Sequence, residues 1–292
     1  MNSGEAVCDV GTPLADRLEQ GELVFFPECP FPLPDPEGLE FLRSQRLKHP
    51  AMQSIRFDPT GGRVVGHRRR AKGGTERLAG LLRTFSDMAT GWLANQLPEY
   101  SGRWTRDQVT LRTEEEAIRS LRHNDALHVD NFADRPSHGR RILRLYVNIN
   151  ATEPRVWQTS ERFAELLMRY QSRHRVPMRT EAEWCEPLSG LQRLLHRDWS
   201  GRPAYDAFML ALHNHLRADE EFQEKAQRRL WNFPPLSVWA LFSDGLSHAV
   251  LRGQFALEHS YFVPPTALAR PEWSPLRQLV DAGQAVRLKR AG

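Results

Sequence analysis

The 292-residue sequence predicts one α+β domain, residues 1–292, whose core is a β-barrel or sandwich interrupted by helices. Three observations carry this expectation. Short segments of alternating apolar and polar residues occur in both halves of the chain, a stretch of helical apolar spacing separates them at about 160–230, and no repeat or low-complexity block divides the whole. Strands on both sides of a helical insertion that complete one sheet system argue for a single domain.

Residues 21–27, Gly-Glu-Leu-Val-Phe-Phe-Pro, read as a strand stopped by proline, and a proline-rich loop follows to Pro36. Residues 52–57 and 63–66 flank Asp58-Pro-Thr-Gly-Gly62, turn chemistry that implies a β-hairpin. The run His67-Arg68-Arg69-Arg70, with Lys72 and Arg77, is the densest positive stretch; its ordinary role is a solvated loop, its functional one a contact with phosphate or carboxylate groups. Leu78, Leu81, Leu82, Phe85, Met88, Trp92 and Leu93 recur at intervals of three and four, one stripe of an amphipathic helix that should pack on a sheet. Residues 109–112, 127–130 and 142–150 read as strands. The insertion shows three helical stripes: Phe163, Leu166, Leu167 and Tyr170; Leu191, Leu194 and Leu195; and Tyr205, Phe208, Met209 and Leu212. Trp184, Trp199 and Trp231 are expected to pack in the core there, with a lid or lipid-facing surface as the alternative. Strands resume at 237–242, 246–251 and 255–263, before a proline-rich tail that ends in Arg287-Leu-Lys-Arg290.

Composition excludes several classes. Forty Lys and Arg against 36 Asp and Glu give a formal charge of +4, too small for a dedicated nucleic-acid binder yet favourable to anionic ligands. The three cysteines are far apart and form no CxxC, which argues against a disulfide framework or a thiolate zinc site and for a reducing compartment. No apolar run nears the roughly 20 residues of a bilayer span, and residues 1–5 lack the basic-then-apolar order of a secretory signal, so a soluble cytoplasmic protein is expected.

The most informative short pattern is His-x-Asp, because residues at i and i+2 of a strand share a face and can grip one metal ion together. The chain has three: His123-Asn-Asp125, His128-Val-Asp130 and His196-Arg-Asp198. His196 lies in a helical pattern, where i and i+2 diverge, and His123 sits in a polar, turn-like stretch. His128 is flanked by Leu127 and Val129, so a strand there buries those two on one face and leaves His128 and Asp130 together on the other. In the strand of residues 142–150, Leu143, Leu145, Val147 and Ile149 form an apolar face and Arg144, Tyr146, Asn148 and Asn150 a polar one. That polar face is either solvent-facing or the inner wall of a barrel, where the planar fork of Arg144 could fix a carboxylate. His248 is the leading third ligand and His259 its rival, whereas His213 and His215 have the wrong spacing on a helix. Two histidines and one carboxylate leave three octahedral positions open, which suits iron(II) better than a closed tetrahedral zinc site.

These residues resemble those of the iron(II)- and 2-oxoglutarate-dependent dioxygenases, whose double-stranded β-helix carries a His-x-Asp pair and a distant His; His128, Asp130 and His248 match. More specifically, residues 127–132 (LHVDNF), 141–150 (RILRLYVNIN), 247–258 (SHAVLRGQFALE) and the opening GELVFF are similar to those of the Kdo 3-hydroxylases. The resemblance implies a jelly-roll core with flanking helices, with iron(II), 2-oxoglutarate and O2 as cofactors. It also implies hydroxylation of carbon 3 of 3-deoxy-D-manno-oct-2-ulosonic acid (Kdo) on an anionic glycolipid such as Kdo-lipid A, giving Ko. Such a substrate would bring the protein peripherally to the cytoplasmic face of the inner membrane, with Arg68, Arg69 and Arg70 meeting its carboxylates and phosphates. One departure matters: many relatives carry an Arg about ten residues after the distal His to bind 2-oxoglutarate, where this chain has Glu258 and His259. Arg144 is the first choice for that role, Arg252, which shares a strand face with His248 if the alternation is regular, the second, and Arg112 the third. Two other readings remain open, a cupin-like metal-dependent lyase or isomerase acting on an anionic sugar, and a non-enzymatic saccharide-binding module.

Overall fold

The structure, a computed structural model, describes residues 12–49, 52–68, 73–113, 126–174, 176–187 and 202–291. Ten strands are present among them: β1 Val24–Phe26, β2 Ile55–Phe57, β3 Val64–Val65, β4 Thr105–Arg112, β5 Arg141–Asn148, β6 Arg155–Arg162, β7 Arg229–Phe233, β8 Val238–Phe242, β9 Leu246–Arg252 and β10 Ala256–Val263. They form a seven-stranded sheet in the order β1-β8-β5-β10-β4-β2-β3 and a three-stranded sheet in the order β7-β6-β9, antiparallel throughout. β5 lies between β8 and β10, so strands from before and after the insertion do share one sheet, as the alternation of both halves requires. Tyr146, Trp239 and Leu241 of the large sheet cluster with Trp157, Trp231, Phe233 and Leu246 of the small one. The two sheets therefore face each other across an aromatic plug, the arrangement of a double-stranded β-helix.

Both faces of β5 are buried, for different reasons. Leu143, Leu145 and Val147 pack on Leu78, Leu82, Phe85 and Leu93 of α3 (Gly74–Gln96), while Arg144 and Tyr146 turn into the space between the sheets. The buried stripe of α3 is rotated from the one expected: Met88 is 39% exposed, and Ser86 and Thr90 are inside. They are there because β10 offers them partners, His259 Nε2 at 2.8 Å from Ser86 Oγ and the Tyr261 hydroxyl at 3.0 Å from Thr90 Oγ1.

Burial, with a smaller contribution from Arg106, holds the His259 imidazole down at about 3. An unfolded histidine titrates near 6.5, so between the two values the unfolded chain binds a proton that the native state refuses, and stability falls as pH drops through that window. His259→Gln should reduce the slope of unfolding free energy between about pH 4 and 6 by about 1.4 kcal/mol per pH unit, read from urea melts. An unchanged slope would mean that the native protein tolerates protonation here.

Three features differ from expectation. The segment around His128 is not a full strand but an isolated antiparallel bridge to His248. Residues 155–162 form β6, and the insertion starts after it with α4 Phe163–Arg173, α5 Glu181–Cys185, α6 Ala204–Ala218 and α7 Glu220–Lys225. Its helices bury a second core that includes Leu166, Phe208, Leu212, Leu216 and Phe222 with Leu127 and Val129. The stripe of Leu191, Leu194 and Leu195, the His196 pair and Trp199 lie outside the described residues, as does the His123 pair; Trp184 and Trp231 are buried. Finally, helix α2 Pro36–Ser44, which follows α1 Leu14–Glu19 and β1, begins at the last proline of the expected loop, and the proline-rich tail expected after residue 263 contains α8 Pro275–Ala291. In each the proline occupies the first helical position, where it costs no hydrogen bond, behind a capping side chain: Asp35 accepts from Gly38 N–H at 2.7 Å and Ser274 from Arg277 N–H at 3.3 Å. No described helix is long and apolar enough to cross a membrane.

Candidate active site

A cavity of about 590 Å³ opens between the two sheets. His128, Asp130 and His248 lie in its wall, with one ligand atom from each within 4.8 Å of the others. Backbone pairing places them. His128 N–H donates to the His248 carbonyl at 3.1 Å and His248 N–H to the His128 carbonyl at 2.9 Å, which sets the two rings on one side with centroids 4.8 Å apart. Asp130 follows on the same face, its N–H bonded to the Ser243 carbonyl at 2.8 Å. Leu127 and Val129 point the other way into the helical core, as alternation predicts.

Each imidazole has its proton assigned by its neighbour. His128 Nδ1 lies 2.8 Å from the Ala126 carbonyl and His248 Nδ1 2.9 Å from the Leu246 carbonyl. A carbonyl can only accept, so Nδ1 carries the hydrogen and Nε2 keeps its lone pair toward the cavity. Burial and the adjacent His248 hold His128 down at about 3, which keeps it in the neutral form a metal needs. Burial alone would raise the Asp130 carboxyl, but Arg144, then His248 and His128, outweigh it and hold the group below the usual carboxylate range. Asp130 Oδ2 is buried without a hydrogen-bond partner. Two imidazoles and a carboxylate, all facing one open space, with Asp130 Oδ2 in an ion pair to Arg144 but making no hydrogen bond, fit a divalent cation of the iron(II) type. Trp157 stacks on His248 at 5.5 Å and fixes its plane.

His259 is not a ligand: it points to α3 on the opposite face of β10. His213 comes close, 5.0 Å ring to ring from His128, but its Nδ1 donates to the Val129 carbonyl at 2.7 Å and its Nε2 lies 3.3 Å from Arg217 Nη1. His215 instead sits 3.8 Å from Asp219 on the insertion.

Arg144 does face the cavity, so the polar side of β5 is an inner wall and not a solvent surface. Its Nη1 lies 2.9 Å from the Tyr146 hydroxyl, 3.1 Å from Asp130 Oδ2 and 3.3 Å from Glu258 Oε1. Glu258, ten residues after His248, also accepts from Arg112 at 3.0 Å. The position where many relatives carry a cation is thus an anion here, matched by two arginines on neighbouring strands.

Arg252 is exposed and does not line the cavity, which overturns its expected shared face with His248. The cause is a β-bulge: Trp157 pairs with Val250 and the adjacent Val156 with Arg252, so one extra residue on β9 reverses its side-chain alternation. Arg155 takes the place on the wall instead, fully buried, with Nη1 donating to the Gly253 carbonyl at 2.8 Å. It was missed because β6 was not foreseen; its spacing two residues before Trp157 was the available signal. Arg68 is exposed and off the cavity, and Arg69 and Arg70 lie outside the described residues. A further set was unforeseen: Leu210, His213, Asn214 and Arg217 line the cavity from one face of α6.

Comparison with known proteins agrees with this geometry. The family described as 3-deoxy-D-manno-oct-2-ulosonic acid (Kdo) hydroxylase matches residues 5–286. The crystal structure of the Kdo hydroxylase KdoO, a non-heme Fe(II) α-ketoglutarate-dependent dioxygenase, in complex with α-ketoglutarate and Fe(III) is 31% identical, with a TM-score of 0.78 over 92% of this chain and 88% of that one. The KdoO complex with cobalt(II) is 31% identical with a TM-score of 0.80, and that with succinate and Fe(III) 32% identical with 0.77, at the same coverage. No curated protein matches the sequence significantly. A match that runs through both sheets and the insertion between them assigns the whole architecture, and the chain belongs to the Kdo hydroxylase family of iron(II)- and 2-oxoglutarate-dependent dioxygenases.

Proposed function

We propose that this hydroxylase acts at carbon 3 of Kdo carried on a lipid-linked anionic saccharide such as Kdo-lipid A, with Arg144 holding the co-substrate 2-oxoglutarate. Hydroxylation of Kdo with iron(II), 2-oxoglutarate and O2 is the reaction of the family, which sets aside the lyase and binding-module readings. His128, Asp130 and His248 would hold the iron, which with 2-oxoglutarate supplies the activation of dioxygen that puts one oxygen atom into a C–H bond.

The observation that carries the role of Arg144 is its unspent donor. Nη1 is shared among Tyr146, Asp130 and Glu258, while Nε is buried with no hydrogen-bond partner. A carboxylate brought into the cavity beside the metal ligands would satisfy it with a charge-assisted bond. Charge supports this: Arg112 and Arg144 offset Asp130 and Glu258, and Arg155 and Arg217 also line the cavity, so a bound divalent cation is best accompanied by an anionic co-substrate. Gln108 Oε1 and Asn131 Oδ1 are also buried without partners in the cavity wall, and Arg56 and Arg135 line it too. Acceptors for hydroxyl groups beside cations suit an acidic, polyhydroxylated sugar.

The deciding experiment is mass spectrometry of Kdo-lipid A after incubation with enzyme, iron(II), 2-oxoglutarate and ascorbate, with free Kdo in parallel. One oxygen added to the Kdo residue of the lipid, with matching succinate, is expected. Oxygen appearing on free Kdo alone would remove the lipid-linked acceptor.

The run Arg68-Arg69-Arg70 is assigned by the same reading to the phosphates and carboxylates of the lipid at the cytoplasmic face of the inner membrane. Changing all three to Glu should lower kcat/KM for the lipid-linked acceptor about tenfold at low salt, the deficit shrinking as ionic strength rises. Equal kinetics across salt would return the run to a solvated loop.

A further inference from the structure

The segment that carries His128 and Asp130 is joined to the sheets along one edge only. Residue 128 exchanges backbone bonds with His248, and Asp130 N–H bonds Ser243. In an extended chain, backbone groups of alternate residues face opposite edges, so those of Leu127 and Val129 face away from β9. Among the described residues no strand lies along that edge. Buried backbone groups left there without partners would be costly.

Two side chains of the helical insertion fill the edge. The Gln223 carboxamide, on α7, accepts from Leu127 N–H at 2.9 Å through Oε1 and donates to the Leu127 carbonyl at 2.9 Å through Nε2. That is the double exchange a residue on a neighbouring antiparallel strand would make. Nε2 also donates to the Leu216 carbonyl at 2.8 Å, which ties the amide to the end of α6. One residue past His128, His213 donates from Nδ1 to the Val129 carbonyl at 2.7 Å while its ring stands edge-on to that of His128. Leu127 and Val129 are fully buried against Leu212, Leu216 and Phe222.

We infer that Gln223 and His213 are positioning residues of the metal centre, side chains that replace a β-strand on the open edge of the ligand-bearing segment. The insertion then sets metal affinity, because it fixes the backbone from which His128 and Asp130 project. The inference rests on those two residues and His248 being the ligands. Partners that orient metal ligands typically contribute 10–100-fold in metal affinity.

The test is anaerobic titration of the full-length protein with Co(II), read by ligand-field absorption, well below the melting temperature of each variant. Gln223→Met keeps the length and loses both bonds; His213→Phe keeps the ring and loses the donor; His213→Asn restores a donor at the same reach. Gln223→Met and His213→Phe should each weaken Co(II) binding about 10–100-fold and alter the band shape, with His213→Asn within about threefold of wild type. Where Gln223→Met does not fold, the His213 pair decides alone. Wild-type affinity and spectrum in folded Gln223→Met and His213→Phe would overturn the inference while leaving the ligands in place. His128→Ala that binds Co(II) as wild type does would overturn the ligand set and the inference with it.

Discussion

Asp130→Ala should abolish iron-dependent turnover of 2-oxoglutarate, with a loss of about a thousandfold or more, and leave the chain folded. Iron with 2-oxoglutarate would supply the activation of dioxygen, which no side chain can replace, so a centre that cannot hold its metal should lose about 10³-fold or more, a loss of over ~4 kcal/mol at 1.36 kcal/mol per tenfold. Asp130 is the only anion of the three candidate ligands, and its Oδ2, paired with Arg144 at 3.1 Å, makes no hydrogen bond. The fold should survive because the carboxylate is buried at a desolvation cost, and Arg144 keeps Glu258 at 3.3 Å when Asp130 is gone. Circular dichroism and a thermal melt of the metal-free variant should match wild type within a few degrees, while the rise in melting temperature on adding Co(II) disappears. His128→Ala should behave alike. Full turnover in either variant would remove the residue from the metal site.

The grouping of the candidate ligands is legible because strand chemistry is local. In Leu127-His-Val-Asp130 and in β5 the side-chain period of two separates core from cavity without knowledge of the partner strands, and the structure keeps both separations. What failed depends on pairing. Arg252 was placed by counting along a regular strand, and one bulge against β6 reversed it. β6 itself is buried at its first five residues, so it shows no alternation, and its polar members Arg155, Gln158 and Thr159 find partners only in the folded protein. Gln223 and His213 looked like ordinary helix residues, since the backbone they serve lies 96 and 84 positions away. Prolines at Pro36 and Pro275 hid two helices because a helix start and a loop share that residue.

Arg144→Lys and Arg144→Gln should separate two jobs that this arginine performs at once. It balances Asp130 and Glu258, a matter of charge, and under the proposed function it would offer Nε to a carboxylate, a matter of shape. Lysine keeps the charge and loses the planar fork, so Arg144→Lys should raise KM for 2-oxoglutarate about 10–100-fold, the effect of one charge-assisted bond of about 1.5–3 kcal/mol, with Co(II) affinity little changed. Glutamine loses both. Breaking a buried ion network by removing one partner costs about 3–5 kcal/mol, so Arg144→Gln should also lower the melting temperature. Adding Glu258→Gln to Arg144→Gln removes the carboxylate left short of a partner, although Arg112 still contacts that position. The double variant should therefore regain stability without regaining affinity for 2-oxoglutarate. An Arg144→Lys enzyme with an unaltered KM for 2-oxoglutarate would show that Arg144 only balances charge, and would move the carboxylate site to Arg155, the other buried guanidinium among the described residues of the cavity wall.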